Sequence, residues 1–518
     1  MRKPNRNEQL MTRFTQAWLF LLLLASTASG ATYYLDADAG SDTTGDGSAG
    51  NPWATLVKAQ ATVVSGDTVK LYGGSYGAFS QTNPHYTSYV TYEAVDGDGD
   101  PPVFTSAIVN RTSTLDDVYL RFRDIWFDNG GLIVYRARYM EVEDCNFVGA
   151  GYTLADIPAA DATNYAIRLE HDCTLITIRG CTITGDGAGQ ATNTAGGQDG
   201  SNFTKGYVWG IWAGLLSDGH ITVEDCLVES CDYGISLSYS NLTISNNTVR
   251  YITGDGIKVM ASGDTIHIAD NEVYALGRYS DFHCDGIQFH GTVGVVYQNY
   301  TNVTIARNKV HTSDYQGIFC RIGPTSSNWL VENNLIYDIP TYTNPSYGFR
   351  FSNANPIVFR NNTIMSHMTL GNEWGGICHA TLYGNILDYA DLYTDTGVVV
   401  DNEDYNVVGT WWVHTYSHVS GAHTVEITRA EIPNEFNNYA ARDFTLASDA
   451  YAVDRVSLGV DAAADINGNA RVDVPGVGND GTDYADAGAY EYDSSSPPDE
   501  PNEPPVTVTP RLFILEGA

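Results

Sequence analysis

Residues 242–273, LTISNNTVRYITGDGIKVMASGDTIHIADNEV, contain one short pattern twice. The pattern is apolar-x-apolar-x-x-Asn-x-apolar, centred first on Asn247 and then, just over twenty residues later, on Asn271. Between the two copies, Gly256-Ile257 begins another short alternating run. Alternation of apolar and polar residues over such lengths indicates β-strands. Each unit therefore holds at least two short strands and a tight turn.

The same unit recurs along most of the chain, between residues 120 and 387. Repeats this short cannot bury an apolar face alone, so they stack on one another as a solenoid of parallel strands. Asparagine tolerates the left-handed geometry of tight turns and hydrogen-bonds to a stacked neighbour, which predicts an inward ladder. The turn position is filled in chain order by Ile125, Cys145, Cys181, Cys226, Asn247, Asn271, Asn308, Asn334, Asn362 and Asn385.

The cysteines at this turn position have two interpretations. The position suits small buried residues, which favours a stack of free thiols inside the core. Stacked neighbours lie about 4.8 Å apart, however, which is also close enough for disulfides.

Composition narrows the classes of function. The chain has 518 residues, 62 acidic against 27 basic, for a formal net charge of −35. Such a charge argues against non-specific binding to nucleic acid or to an anionic membrane. The 51 glycines and 34 tyrosines suit many short strands and turns, and a helical bundle is excluded.

With these repeats, the chain resembles the right-handed parallel β-helix group that includes pectate lyases and related exported bacterial proteins active on polysaccharides. The resemblance covers roughly residues 31–492. It implies an all-β, right-handed parallel β-helix solenoid with an N-terminal capping helix at residues 53–64. It also implies a polysaccharide as partner and a closing segment at residues 464–492.

Four segments are predicted. Residues 1–30 have a basic start, an apolar run and small residues, as a signal peptide does, which predicts a secreted or cell-surface protein. Residues 31–390 are the parallel β-helix, and residues 391–492 are a C-terminal β extension packed on it. Residues 493–518 form a disordered tail rich in proline and acids. We expect a monomer without a membrane span after signal cleavage.

Strand alternation predicts which side chains leave the surface of the middle coils. One outward column follows the Gly-apolar pairs, a second lies two residues further on, and two aspartates precede the glycines. Three inserts, at residues 149–164, 185–207 and 275–284, are predicted to wall this face. The predicted site comprises Trp212, Lys258, Gln288, Phe319 and Arg350 in the first column, His290 and Arg321 in the second, and Asp255 and Asp285 before the glycines.

This set fits a lyase that cleaves a uronate-containing polysaccharide by β-elimination. Either Lys258 or His290 would be the base that removes the proton next to the carboxylate. Arg321 and Arg350 would hold that carboxylate as negative charge develops. Gln288, Trp212 and Phe319 would contact the sugar chain. An isomerase acting on polymeric uronates would use the same chemistry.

Two other classes remain open. Asp255 and Asp285 occupy equivalent places on adjacent coils, and a carboxylate pair is what glycoside hydrolysis needs. The chain could equally be a non-catalytic glycan-binding surface protein, because fold alone does not give function. No cofactor is implied, except that calcium could bridge Asp255 and Asp285 to an acidic sugar.

Overall fold

The computed structural model describes fifteen segments of the chain. They are residues 30–82, 85–149, 165–184, 207–214, 219–238, 240–277, 283–290, 292–293, 296–339, 347–371, 378–392, 397–413, 420–457, 462–473 and 484–492. The predicted signal peptide, the tail and most of the three predicted inserts lie outside them. Among the described residues, no helix has both the length and the apolar character needed to span a membrane.

The first wall of the solenoid, called sheet 1 below, is a parallel sheet of 14 strands. Each strand precedes a turn position and sends alternate apolar side chains inward, as Leu242 and Ile244 do. The strands are Thr32–Leu35, Thr68–Leu71, Val90–Ala94, Asp116–Arg123, Ala137–Glu143, Thr174–Arg179, Ile221–Glu224, Leu242–Ser245, Gly263–Ala269, Tyr300–Ala306, Ser327–Glu332, Ala354–Arg360, Cys378–Tyr383 and Val398–Asp404.

A second sheet of 22 strands supplies the other two walls. The strands that follow the turn position form the ladder face, and those that follow the Gly-apolar pairs form the site face. The ladder face has Trp126–Asp128, Asn146–Val148, Thr182–Thr184, Thr248–Ile252, Glu272–Leu276, Lys309–Ser313, Leu335–Tyr337, Val407–Val408 and Val425–Glu426. The site face has Leu132–Tyr135, Tyr165–Glu170, Tyr207–Gly214, Ile257–Val259, Asp285–His290, Gln316–Arg321, Tyr347–Phe351 and Trp411–Val413. Five longer strands run through both faces: Gly74–Gln81, Pro102–Val109, Leu227–Leu237, Thr363–Leu370 and Ile386–Leu392.

The core is a set of inward stacks along the axis. On the site face, the residue after each glycine is fully buried and pairs in register with its equivalent on the next coil. This stack consists of Ile235, Ile257, Ile287, Ile318 and Phe349. Burial of such apolar columns contributes most of the stabilisation of a solenoid.

The predicted asparagine ladder is confirmed. Each side-chain amide donates from Nδ2 to Oδ1 of the asparagine on the next coil, at 2.9–3.0 Å, from Asn247 through Asn385. The ladder extends one coil beyond the prediction, because Asn385 donates to Asn406 at 2.9 Å. It ends where Asn406 Nδ2 donates to Glu403 Oε1 at 2.7 Å.

The reason given for asparagine at this turn needs a correction. The left-handed residue is the one before the ladder asparagine, with φ between 53° and 59° from Asp225 to Asn361. Glycine fills that place at Gly180 and Gly384, with φ of 64° and 60°. Asparagine is therefore required at the ladder position for the hydrogen bonds of its side-chain amide. The preceding residue, not the asparagine, adopts the left-handed conformation of the turn.

All eight cysteines are buried free thiols, as the stacking interpretation predicted. Cys145, Cys181 and Cys226 continue the ladder position toward the N-terminus. Burial raises the pKa of the Cys181 thiol well above its usual value. Such thiols are poor nucleophiles and behave as small core residues.

The N-terminal helix is shorter than predicted and spans Leu56–Thr62. Thr55 caps it by accepting the Lys58 backbone N–H at 3.2 Å. Leu56 and Ala59 are buried in the same core as the first strands, so the helix covers apolar residues at this end of the solenoid.

Parallel pairing continues past residue 390 to Val425–Glu426. The following segment packs a second apolar core against the ladder face, around Leu335, Met365 and Ile386. It contains the 3₁₀ helices Ile432–Glu435 and Tyr439–Ala441, and the antiparallel pairs Phe436–Asn438 with Asp443–Leu446 and Val456–Ser457 with Tyr484–Ala485. A further small antiparallel pair joins Thr292–Val293 to Val296–Tyr297.

One buried arginine joins the closing segment to the coils. Arg471 lies among Glu491, whose Oε2 is 2.9 Å from Nη1, and Asn333, whose Oδ1 is 2.7 Å from Nη2. Asp486, also fully buried, accepts the Asp454 backbone N–H at 2.7 Å. These contacts fix residues 462–473 and 484–492 on the ladder side of the solenoid, away from the site face.

Candidate functional site

Strand register places the first predicted outward column on one line along the axis. The line follows paired positions on successive coils: Trp212, Ser236, Lys258, Gln288, Phe319 and Arg350. The second predicted outward column is also aligned, because His290 pairs with Arg321 on the next strand. The site face therefore aligns the cations, the imidazole and the two rings of the prediction. Gln288 and Phe319, which were predicted to contact the sugar, are however buried at 4% and 6% exposure, because neighbouring coils cover them. The partly exposed residues are Trp212, Lys258, His290, Arg321 and Arg350.

Lys258 is held by the aspartate that precedes its glycine. Its Nζ lies 2.7 Å from Asp255 Oδ2, and the two side chains are 20% and 4% exposed. The ammonium also lies 5.9 Å from the centre of the Tyr233 ring. This ion pair fixes the lysine as a cation at the edge of the surface, with its aspartate beneath it.

Asp285 is fully buried, and its carboxylate faces the chain rather than solvent. Gln288 Nε2 donates to its Oδ2 at 2.5 Å, and its backbone N–H donates to Asp255 Oδ1 at 3.2 Å. Burial raises the pKa of Asp285 well above its usual value, and the nearby Asp255 charge raises it further. The raised pKa favours the neutral form of this carboxyl group, which is a buried partner of Gln288.

Strand alternation placed both aspartates on the groove surface, whereas the structure buries them at 3% and 0% exposure. The residue before each glycine sits where the chain turns into the site face, beneath the outward columns. Gln316, on the coil after Asp285, is likewise fully buried. Periodicity alone could not distinguish this polar floor from an exposed column.

His290 lies between the two central cations. It is half-buried and faces the Phe319 ring at a centroid distance of 6.0 Å. Burial lowers the pKa of His290, and the positive charges of Lys258 and Arg321 lower it further. The lowered pKa favours the neutral imidazole, which is the form that accepts a proton.

The two arginines lie over aromatic rings. The Arg321 guanidinium is 4.6 Å from the centre of the Tyr297 ring. The Arg350 guanidinium is 4.7 Å from the Tyr347 ring and 5.9 Å from the Phe319 ring. Stacking of this kind fixes the plane of a guanidinium group. Tyr297 was not predicted, because it lies in a connection without repeat periodicity.

Trp212 stands on the same line, toward the N-terminus, in an aromatic group with Tyr165, Trp209 and Tyr233. Arg168, which was not predicted, lies one coil before Trp212 and stacks on its ring at 5.3 Å. It was missed because its strand follows a long insert that interrupts the repeat.

The residues fit calcium poorly. Lys258 already neutralises Asp255, and Asp285 is engaged by Gln288. Two carboxylates also fall far short of the six to eight oxygens that calcium prefers. Across the described segments, no group of three or more His, Cys, Asp or Glu side chains is arranged to hold a metal ion.

The family model described as "Right handed beta helix region" matches residues 108–288 and 280–410. The chain belongs to this family. The right-handed parallel β-helix predicted from the repeats is therefore confirmed.

Solved β-helix structures show distant similarity. Pectate lyase Pel9A is 11% identical with a TM-score of 0.41, over 90% of this chain and 97% of that one. The GH136 lacto-N-biosidase from Eubacterium ramulus is 14% identical with a TM-score of 0.39, over 79% and 72%. The Streptococcus pneumoniae surface protein and adhesin PfbA is 11% identical with a TM-score of 0.37, over 72% and 94%. Similarities this distant do not indicate an activity, and no curated protein matches the chain.

Proposed function

We propose that this protein is a polysaccharide lyase that cleaves a uronate-containing polymer by β-elimination. The observation that carries the proposal is the placement of a half-buried His290, which pairs with Arg321 on the next strand and shares the site face with Lys258. A base without charge, next to cations, suits removal of a proton that leaves a negative charge behind.

The residues divide the reaction between them. His290 takes the proton from the carbon next to the uronate carboxylate, and the electron pair of that C–H bond forms the new carbon–carbon double bond. The bond from the adjacent carbon to the glycosidic oxygen breaks, and the leaving oxygen takes a proton from the Lys258 ammonium or from water. Lys258 serves as cation and acid rather than base, because Asp255 holds it at 2.7 Å.

Arg321 and Arg350 bind the uronate carboxylate and stabilise the enolate that develops on it. Charge-assisted hydrogen bonds from fixed guanidinium groups suit this role. Phe319, which lies between Gln288 and Arg350 on the outward line, is buried and lies 5.9 Å from the Arg350 guanidinium. In a chain of net charge −35, such a local group of cations is needed to hold an acidic polymer.

The hydrolase alternative is less well supported. Its two carboxylates would have to reach a glycosidic bond and a water molecule, yet Asp255 and Asp285 are 3% and 0% exposed. Each already has a partner, Lys258 for one and Gln288 for the other. They are better explained as groups that position the outward side chains.

The test uses polygalacturonate, alginate and neutral glucan with the purified protein. We expect ultraviolet absorbance from an unsaturated product on one acidic polymer and no cleavage of the glucan. His290→Ala should lower kcat about 10²- to 10⁴-fold, the usual contribution of a general base. His267→Ala is the matched control, because His267 lies on sheet 1 and its pKa is also lowered by burial.

Three results would contradict the lyase. New reducing ends without the unsaturated product would favour a hydrolase, particularly if Asp255→Asn abolished them. Isotope exchange from solvent without chain cleavage would indicate an isomerase. Binding without any reaction, unchanged in His290→Ala, would favour a glycan-binding surface protein.

A further inference from the structure

We propose that Trp212, with Gly214 and Arg168, forms a second sugar-binding subsite remote from the reaction centre. It would take one sugar of the polymer by its apolar C–H face. The inference rests on the proposed polysaccharide binding, but it does not require that the polymer be cleaved.

The indole of Trp212 lies along the sheet surface, over Gly214. A Cβ added to Gly214 would lie 2.0 Å from Trp212 Cη2 and 2.2 Å from Cζ2, so the ring occupies the space of an outward side chain. No left-handed backbone conformation requires a glycine at this position. The absence of a side chain therefore leaves room for the ring, which lies against the sheet at Gly214.

Neighbouring groups surround the ring and fix it. The Tyr165 ring is centred 5.5 Å away and the Trp209 ring 6.4 Å away, both inclined to the indole. The Arg168 guanidinium is 5.3 Å from the Trp212 ring and 4.6 Å from the Tyr165 ring. Trp212 itself remains partly exposed. A fixed aromatic face beside a few polar groups is typical of a small-molecule subsite.

The chemistry of this subsite differs from that of the reaction centre. Arg168 forms an ion pair with Glu170, so its charge is compensated. The subsite therefore offers a flat apolar surface rather than a net positive charge. It suits the face of a sugar ring where the C–H groups project, whether or not that sugar carries a carboxylate.

Register sets the distance to the reaction centre. Trp212 pairs with Ser236, and Ser236 pairs with Lys258, so the ring lies two strands from the lysine. At strand spacing this separation is roughly 10 Å along the solenoid axis. It exceeds the span of one sugar ring, so a short oligomer at the reaction centre cannot reach Trp212 and a longer chain along the axis can.

The test measures calorimetric binding of oligogalacturonates, from disaccharide to octasaccharide, to the His290→Ala protein. Trp212→Ala in that background should raise Kd about tenfold for the hexasaccharide and octasaccharide, as truncation of an anchoring aromatic residue usually does, and leave Kd for the disaccharide unchanged. Gly214→Val should have the same effect, because its side chain displaces the ring. Trp126→Ala is the matched control, since Trp126 is 40% exposed and lies on the ladder face.

Equal Kd values for long oligomers in the Trp212→Ala and Trp126→Ala proteins would overturn the inference. So would a loss of affinity that is the same at every length, or an absence of binding at all lengths. Length-dependent loss in a protein that cleaves no polymer would refute the lyase and still support the subsite. Thermal unfolding of each variant shows whether the fold is retained, and Trp212→Ala remains decisive if Gly214→Val fails to fold.

Discussion

Replacing one asparagine in the middle of the ladder, Asn308→Ala, should destabilise the solenoid strongly. The Asn308 side chain is fully buried and makes four hydrogen bonds. Its Nδ2 donates to Ile268 O at 2.9 Å and to Asn334 Oδ1 at 3.0 Å. Its Oδ1 accepts from the backbone N–H of Asn271 at 3.1 Å and from Asn271 Nδ2 at 2.9 Å.

The expected loss in the free energy of unfolding follows from the hydrogen bonds that each former partner of Asn308 keeps after the substitution. Asn271 Nδ2 still donates to Ile244 O and Ala269 O, both at 2.9 Å, and Asn334 Oδ1 still accepts the backbone N–H of residue 308. The backbone N–H of Asn271 loses its acceptor and is buried, which costs about 1–3 kcal/mol. The other three bonds contribute about 1 kcal/mol each, so the free energy of unfolding should fall by about 4–6 kcal/mol.

The assay is urea unfolding followed by far-ultraviolet circular dichroism, with hydrogen exchange as the local measure. Long repeat proteins need not unfold in a single step, so exchange at the amides of the flanking coils is the sharper measure. Asn437→Ala is the control, because that side chain is exposed and bonds only one hydroxyl, Thr445 Oγ1, at 3.0 Å. A loss below about 1 kcal/mol, with exchange unchanged, would refute the reasoning that a lost ladder amide leaves a buried donor unsatisfied.

Three further outcomes are expected. Because burial and neighbouring cations lower the pKa of His290 below its ordinary 6.5, kcat/KM should stay high down to pH 6.5 and fall only below it; an acid limb above pH 7 would contradict this. Asp255→Asn should lower kcat about tenfold to hundredfold, because it releases Lys258 from its position. Circular dichroism should show that the fold is retained. Full activity would contradict the positioning role of Asp255. Burial raises the pKa of Glu491 to about 7, so this carboxyl stabilises the fold when protonated, and the free energy of unfolding should fall as pH rises from about 4.3 through 7. Glu491→Gln should make that slope shallower and the exposed Glu426→Gln should leave it unchanged, as urea titrations at each pH would show.

The fold was predictable because the residues that repeat once per coil, asparagine and glycine, each have one specific structural role. Asparagine recurs at Asn247 and its equivalents, where a buried amide must hydrogen-bond to the next coil. Glycine recurs at Gly256 and its equivalents, where the chain enters the site face. The left-handed residue before each asparagine was not identified, because Asp, Asn, Arg and Gly all fill that place. Because the residue type at this position varies so widely, the sequence repeat does not reveal its left-handed backbone conformation.

The sequence predicted which side chains line up along the site face, but it did not predict how deeply each of them is buried. Alternation placed Lys258, His290 and Arg321 correctly on one surface, because inward neighbours such as Ile257 fix the phase of each strand. Burial of Asp285 depends on side chains from several coils, which no single repeat encodes. Trp212 was predicted to contact the sugar chain, but its support was not predicted, in part because that support is a missing side chain at Gly214.

The asparagine ladder gives the solenoid an electrical direction. From Asn247 to Asn385, each amide accepts at Oδ1 from the preceding coil and donates one N–H to the asparagine of the next coil, so these dipoles add along the axis. At the oxygen end, Asn247 Oδ1 accepts the backbone N–H of Cys226 at 3.0 Å. At the N–H end, where positive charge accumulates, Asn406 meets the carboxylate of Glu403, much as an acidic side chain neutralises a helix N-terminus. Coils could therefore be duplicated or deleted within the row without disturbing its polarity, whereas shortening it from the C-terminal side would remove its counter-charge.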